Sequence, residues 1–293
     1  MTTRRALLDE AAVRLSDAGI ENARRNAEWM LEGALGLDRT TLLANLGEPV
    51  TAEERAAFDA LVARRLGREP LQYVVGHADF YGLRLRVTPA VLIPRPETEE
   101  VVEAALGHLR AVKTPWVLDM GTGSGAIALA LKHERPDAEV FACDISEDAL
   151  AIAAHNAERL ALDVSFVHAD ALAPAFVEGV PACFDALVSN PPYVPDGEAA
   201  TLEPEVRDFE PSAALFAGDD PLLHYRAITG HAARVLKPGG LLLFETHTDY
   251  ADAVCALLAE SGYTDTAVKS DLSGRPRIVW GWKGDEVRAT NGE

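Results

Sequence analysis

The sequence predicts an α/β protein in which a small helical bundle and a linking β-hairpin precede a seven-stranded, doubly wound and mostly parallel sheet. Three observations predict it. From Trp116 onward, apolar β-type runs alternate with helical periodicities, the pattern of a parallel sheet covered by helices on both faces. Residues 1 to about 70 carry helical spacing and no strand-like run. Successive strand-like runs also lead to polar residues, Asp119, Asp144, Asp170 and Asn190, at the sheet end where open α/β folds bind ligands.

In the first segment, Leu7, Leu8, Ala11, Ala12 and Leu15 repeat at helical spacing, as do Ala27, Met30, Leu31, Ala34 and Leu35. Thr51-Ala-Glu-Glu54 has the form of a capping box and leads into a face of Phe58, Leu61, Val62 and Leu66. Gly19, Gly36, Gly47 and Gly67 punctuate these helices. Residues 1–72 show no nucleophile–base pair and no metal-ligand cluster, so they read as a cap or a docking domain. Next, Tyr73–Val75 and Leu83–Val87 are β-rich around Gly76 and Gly82, which predicts a hairpin within a linker at 73–96. Pro89, Pro94 and Pro96 stiffen its end. Glu97 to Glu100 then open a helix with Val101, Val102, Ala105, Leu106 and Leu109 on one face, and acids in a first turn suit the helix dipole.

Residues 97–283 form the sheet domain. Strands are predicted at Val117–Leu118, Glu139–Cys143, Val164–Val167, Ala186–Val188 and Leu241–Phe244, with two late ones near Thr264–Lys269 and Arg277–Trp280. Helices are predicted at Ala126–Leu131, from an N-cap at Ser146 to Leu160, at Pro221–Leu236 and at Tyr250–Glu260. Pro238-Gly-Gly240 turns the chain, and residues 284–293 read as a loose polar tail.

Composition excludes several classes. Acids outnumber bases 46 to 27, a formal charge of −19, with no basic run to compensate. Phosphate neutralisation supplies most non-specific affinity for nucleic acid, so no direct nucleic-acid partner is expected. No apolar run approaches the roughly 20 residues of a membrane span. The first ten residues lack a signal core, because Asp9 and Glu10 restore charge. Cys143, Cys183 and Cys255 are widely separated, without a CxxC or zinc spacing. They read as core thiols in a reducing cytoplasm, with no metal expected. Nothing suggests self-association, so the expectation is a monomer.

Asp119-x-Gly121-x-Gly123-x-Gly125, with Thr122 and Ser124 between the glycines, sits at a strand-to-helix turn where backbone can approach a nucleotide closely. Alone it is ambiguous, because Gly121-x-Gly123-x-x-Ala126 also satisfies the dinucleotide fingerprint. Asp144 fits a carboxylate accepting both ribose hydroxyls, and Asp170, with Ala171 beside it, fits contact with an adenine amino group. Discrimination comes from Phe184-Asp-Ala-Leu-Val-Ser-Asn-Pro-Pro-Tyr-Val-Pro195. Pro191 and Pro192 fix their own φ and hold Asn190 extended or in a turn. The Asn190 side-chain oxygen and the Pro191 carbonyl can each accept one N–H. With Pro192 and the Tyr193 ring they make a stiff pocket for a flat group bearing NH₂, next to the cofactor. Such a nitrogen is a poor nucleophile because its lone pair is delocalised. Two acceptors orient it toward a methyl sulfonium and stabilise the positive charge that grows on it, so no general base is needed before transfer. A dehydrogenase needs no such loop, and no His or Lys proton carrier stands out among the strand ends.

Asp119-Met-Gly-Thr-Gly-Ser-Gly125, Asp144 and Asn190-Pro-Pro-Tyr193 resemble a class I, Rossmann-like S-adenosylmethionine-dependent amino-methyltransferase. Arg68-Glu-Pro-Leu-Gln-Tyr73, Leu92-Ile-Pro-Arg-Pro-Glu-Thr-Glu99 and Phe209-Glu-Pro-Ser-Ala-Ala-Leu215 narrow the resemblance to the peptide-chain-release-factor glutamine N(5)-methyltransferases, over about residues 5–282. The resemblance implies a helical N-terminal domain, a linking hairpin and a seven-stranded catalytic domain. It implies S-adenosyl-L-methionine as cofactor and the glutamine of the release factors' Gly-Gly-Gln loop as substrate. It further implies that Gly121 to Gly125 and Asp144 hold the cofactor, that Asn190 to Tyr193 hold the amide, and that Phe80, Arg95 and Glu97 line the site. Two positions depart from the family pattern. Thr246-His247 replaces an Ile-Gly pair after the fifth-strand Glu245, and Asp220-Pro221 replaces Asp-Gly. The rival readings are an N(6)-adenine methyltransferase on DNA or RNA, a ribosomal-protein glutamine methyltransferase, a nicotinamide oxidoreductase and a non-catalytic binding protein. The acidic balance opposes the first, and Ile93-Pro-Arg-Pro-Glu97 favours release factors over ribosomal proteins by resemblance.

Overall fold

Thr3, Asp38 and Thr51 each turn a side-chain oxygen onto the backbone N–H three residues on, and a helix starts after each: α1 (Arg4–Asp17), α3 (Arg39–Ala44) and α4 (Ala52–Leu66). Thr51 and Glu54 complete the expected capping box. Helix α2 (Ala23–Leu35) ends at Gly36 in the left-handed region. Leu8, Leu15, Met30, Leu31, Phe58 and Val62 close these helices around one apolar core. The segment is not wholly strand-free, since an isolated bridge joins Thr3 to Pro49.

The computed structural model describes residues 2–174, 176 and 180–284, so the tail expected at 284–293 lies, after Gly284, outside the described residues. The chain divides into two units, Met1–His77 with Glu203–Phe209, and Ala78–Leu202 with Glu210–Glu293. Two expectations are corrected here. The boundary falls after His77 rather than at 72, because Tyr73–Val75 belongs to a short helix, α5 (Leu71–Val75), and not to a strand. Tyr73 and Val74 are buried, and Gly76, at φ 81°, ends the helix. Secondly, Glu203–Phe209 joins the first unit although 97–283 was expected to form one domain. Glu205 accepts from Arg65 at 3.0 Å and from Arg68 at 2.9 Å, giving the buried Arg65 guanidinium a charge partner.

In the second unit, β1 (His77–Phe80) and β2 (Leu83–Arg86) form a two-stranded sheet that precedes α6 (Pro96–Leu109). The main chain of the fold then runs β3 (Trp116–Met120), α7 (Ala126–Glu134), β4 (Glu139–Asp144), α8 (Glu147–Leu160), β5 (Ser165–His168) and β6 (Phe184–Ser189). Beyond β6 come β7 (Val194–Pro195), α9 (Pro204–Phe209), α10 (Ser212–Leu215), β8 (Phe216–Gly218), α11 (Leu223–Val235), β9 (Leu236–Glu245), α12 (Ala251–Glu260), β10 (Tyr263–Ser270) and β11 (Pro276–Lys283). The seven-stranded sheet has the order β10-β11-β9-β6-β3-β4-β5. Strands β9, β6, β3, β4 and β5 pair in parallel, and β11 is antiparallel to both its neighbours.

Strand periodicity sorts the core into two faces. Val117, Ala186, Val188, Leu241 and Leu243 pack with Val101, Val102 and Leu109 of α6 and Ile127 of α7. Leu118, Leu187, Leu242 and Phe244 point the other way, onto Tyr225 and Ile228 of α11 and Val254 and Leu258 of α12. The fifth parallel strand starts earlier than Leu241. Phe184 pairs with Leu236 and Ala186 with Leu241, so Pro238-Gly-Gly240 is a bulge within β9 rather than a turn before it. The short parallel pair β7–β8 was not anticipated.

Candidate active site

The strand order reverses at β3, whose neighbours β4 and β6 lead away in opposite directions, and ligands bind at the carboxyl ends beside such a switch. A cavity of about 490 Å³ opens there, a size that suits a nucleotide-sized ligand. Its wall includes Met120 and Gly121 after β3, Gly123, Asp144 at the end of β4, Asp170 and Ala171 after β5, and Asn190 and Pro192 after β6. Asp144 and Asp170, two of the sequence-predicted cofactor acids, and Asn190 and Pro192 of the acceptor loop therefore open into one space.

The glycine turn explains its own composition. Gly121, Gly123 and Gly125 have φ of 75°, 55° and 84°, where other residues are strained. A Cβ on Gly121 or Gly123 would meet nothing within 4 Å, so both border open space suited to a ligand's close approach. A Cβ on Gly125 would sit 3.0 Å from Leu129 Cδ1 and 3.2 Å from Ala153 Cβ, so this glycine serves the packing of α7 against α8. Ser124 and Thr122 are buried; the Ser124 carbonyl accepts from Asn156 Nδ2, and Thr122 donates to Asp119 Oδ2 at 2.6 Å. Asp119 lies beneath the turn, fully buried, and its Oδ1 has no partner among the described residues. Burial, with some help from the Asp144 charge, pushes its carboxyl up to about 7 against the bonds from Thr122 and Ala128.

Asp144 Oδ2 accepts from Gly123 N at 2.8 Å and its Oδ1 from Ser146 N at 2.9 Å. Each oxygen keeps a further acceptor site, which is what a pair of ribose hydroxyls requires. Asp170 Oδ1 accepts from Leu172 N at 2.7 Å. Opposite it His224, on α11, completes that part of the wall with an Nδ1 that is buried and unpartnered among the described residues. Burial lowers its pKa, against the pull of Asp170.

The acceptor loop stands beside a buried network. Asn190 Nδ2 lies 3.4 Å from Thr98 Oγ1, Thr98 Oγ1 donates to Glu245 Oε2 at 2.6 Å, and the Tyr193 hydroxyl donates to Glu245 Oε1 at 3.4 Å. Burial raises the Glu245 carboxyl, while the Thr98 bond and the Arg277 charge oppose it. Burial and the neighbouring Glu245 charge likewise raise the Tyr193 phenol. Thr246 donates through both N and Oγ1 to the Arg277 carbonyl, and His247 caps the next turn by accepting from Asp249 N, its ring 5.9 Å from Tyr193. These contacts account for both residues that depart from the family pattern at 246 and 247. The other departure is Pro221 in place of a glycine; beside it Asp220, which fits the pattern, accepts from Leu222 N and pairs with Arg226.

Several expected positions lie off the cavity wall, Asp119, Thr122, Ser124 and Gly125 among them. Phe80 is a core residue packed among Val101, Val102 and Leu85, placed there by the alternation of β1. Arg95 is taken by the buried Glu210, which also accepts from Ile93 N. The sequence stretches around Ile93 and Glu210 thus meet through this pair. Glu97 contributes its charge near Glu245 rather than a wall. Pro191 and Tyr193 are not wall residues either, the Tyr193 hydroxyl being turned to Glu245. The three cysteines are free; Cys143 is buried, whereas Cys183 and Cys255 are only partly so, and burial drives the Cys143 thiol up. Thr98, His224 and Arg277 carry no sequence pattern that marks them as site residues. Glu245 carried one signal, a polar residue ending a parallel strand.

A sheet of this order, with β11 antiparallel to both its neighbours and a glycine turn and acid pair at the switch, is that of a class I methyltransferase. The PrmC N-terminal domain model matches residues 6–76 and the Methyltransferase small domain model residues 101–205. The release factor glutamine methyltransferase of Geobacter sulfurreducens is 44% identical over 279 residues, 95% of this chain and 96% of its own. That of Moorella thermoacetica is 43% identical over 289 residues, 98% and 100% of the two chains. Among solved structures, the T. thermophilus 16S rRNA N2 G1207 methyltransferase (RsmC), in complex with AdoMet and guanosine, matches at a TM-score of 0.52 and 22% identity, over 71% of this chain and 49% of that one. That likeness is one of fold. With relatives this similar over nearly their whole length, the chain belongs to the release factor glutamine methyltransferase family.

Proposed function

We propose that this chain transfers a methyl group from S-adenosylmethionine to the side-chain amide nitrogen of the glutamine in the Gly-Gly-Gln motif of peptide chain release factors. The observation that carries the reading is that Gly121, Gly123 and Asp144 share one cavity with Asn190 and Pro192, so donor and acceptor meet where the strand order reverses. When bound, S-adenosylmethionine supplies a methyl on a cationic sulfur; the amide nitrogen's lone pair forms the new N–C bond, the C–S pair stays with sulfur, and the nitrogen releases one proton to water.

The chain's own residues bind and orient. The backbone at Gly121 and Gly123 lets the donor approach, Asp144 accepts the ribose hydroxyls, and Asp170 with Ala171 faces the adenine. The Asn190 side-chain oxygen and the Pro191 carbonyl each accept one N–H of the glutamine amide, localising charge on its nitrogen as the bond forms. Pro192 and Tyr193 keep that loop stiff and dry. The reaction occurs in the cytoplasm, with the chain a monomer; its charge of −19 supports a protein substrate that is met without direct contact to nucleic acid. Among the described residues no helix is long and apolar enough to cross a membrane.

The test is intact-mass spectrometry of a release factor incubated with the chain and S-adenosylmethionine, followed by fragmentation. One added methyl group on the Gly-Gly-Gln glutamine is expected. No gain on any release factor, with cofactor binding demonstrated, refutes the substrate. Asn190→Ala is expected to lower turnover by at least about 100-fold while cofactor affinity survives, and turnover near the wild-type rate refutes the mechanism.

A further inference from the structure

Asn190 can present either its oxygen or its NH₂ to the cavity, and only the oxygen can accept from an amide substrate. The prolines that hold its backbone leave this choice open. The surrounding network makes it. Thr98, buried on α6, gives its single hydroxyl hydrogen to Glu245 Oε2 at 2.6 Å. Its oxygen then has only lone pairs to offer Asn190, and the Asn190 nitrogen lies 3.4 Å away. Turning the amide over would set oxygen against oxygen. Glu245 is itself held by the Tyr193 hydroxyl on its other oxygen and by the Tyr225 hydroxyl on its backbone carbonyl.

We propose that Thr98 and Glu245 are positioning residues for methyl transfer, which hold the Asn190 amide with its oxygen toward the substrate nitrogen. The inference rests on the function proposed above and deepens it. It also gives the amide a second state. A proton taken up from water by Glu245 makes that carboxyl a donor to Thr98 Oγ1, which frees the Thr98 hydrogen to turn toward Asn190 and rotate the amide. The charged and titratable groups facing Glu245 are Glu97 on α6, Tyr193 after β6, Tyr225 on α11 and Arg277 on β11, and its burial favours the protonated form. Protonation of Glu245 therefore misorients the acceptor.

The experiment is steady-state methylation of a release factor by the full chain, as wild type, Thr98→Val and Thr98→Ser, with S-adenosylhomocysteine affinity measured by calorimetry. Thr98→Val is expected to lower kcat roughly 10- to 100-fold, with release-factor KM and S-adenosylhomocysteine Kd within about twofold, and Thr98→Ser to restore kcat. The wild-type kcat is expected to fall on the acid side, along a limb that Thr98→Val lacks. Equal kcat for the two variants overturns the proposal, as does a parallel loss of cofactor affinity in Thr98→Val, which marks a merely structural role. If Thr98→Val does not fold, Thr98→Ala, which only deletes atoms from the buried site, takes its place, and a kcat equal to that of Thr98→Ser overturns the proposal. A wild-type chain inactive on every release factor refutes the function instead, so the two failures are distinct.

Discussion

Asp119 is a residue whose chemistry its place in the fold changes strongly. Its carboxyl is pushed up to about 7 by burial, whereas an unfolded chain holds an aspartate near 3.9. The native state therefore keeps a proton that the unfolded state releases. Between about pH 4 and 7 the unfolded chain binds fewer protons, so this residue's contribution to stability is present in acid and is lost as the pH rises to 7. Asp119→Asn removes the titration. Denaturant midpoints measured from about pH 5 to 8 are expected to fall more steeply with pH for the wild type than for the variant; parallel curves would show that the carboxyl titrates normally. The sequence made Asp119, Asp144, Asp170 and Asn190 legible because each ends or follows a strand, and a strand end is a local pattern. It did not disclose Thr98 and Glu245, which meet across 147 positions and look, taken singly, like an ordinary helix residue and a strand terminus. Phe80, Arg95 and Glu97 were carried over by resemblance alone; core packing holds Phe80 and the Glu210 pairing holds Arg95, and all three lie off the cavity wall.

At the scale of elements, a pattern was legible when it was long or capped by its own neighbours. The seven strands of the sheet and the helices on both faces follow from periodicities of two and 3.6. Short pieces were decided elsewhere. Tyr73 and Val74 have strand-type side chains, yet the burial of both, Val74 in the helical core, and the left-handed Gly76 make a helical turn of them. The pair β7–β8 is two or three residues long, joins segments 22 apart at Val194 and Phe216, and contains Pro195, so no run announces it. A capped helix yields a clean prediction. Thr51→Ala removes the oxygen that receives Glu54 N, and the lost cap is expected to lower the stability of the helical unit by about 1 kcal/mol. Urea unfolding of the chain, followed by far-ultraviolet circular dichroism, measures it. Methylation is expected to proceed at the wild-type rate, because nothing in the proposed chemistry depends on that helix start.

Across the whole molecule, the order of the chain and the order of the units do not coincide. The chain leaves the helical unit at His77, builds most of the sheet, and returns at Glu203–Phe209 before completing it. Composition and periodicity cannot show such a return, because the ion pairs made by Glu205 join residues 140 and 137 positions apart. Arg65 has a side chain only 9% exposed and Arg68 one 31% exposed, and both close on Glu205. Removing one member of a largely buried pair leaves the other charge without compensation, which costs more than the pair contributes. For Glu205→Ala the expected loss is about 3 kcal/mol, lowered somewhat by solvent reaching Arg68 and by the bonds Arg65 keeps to Asn26 Oδ1 and the Glu69 carbonyl. Replacing the pair together, as Arg65→Met with Glu205→Leu, removes the orphaned charge and is expected to recover most of that loss. Thermal unfolding of the three chains decides the matter: a wild-type midpoint for Glu205→Ala would mean that α9 is held to the helical unit by something other than this carboxylate, and a double variant no more stable than the single one would mean that Arg68, not Arg65, is the charge that Glu205 satisfies.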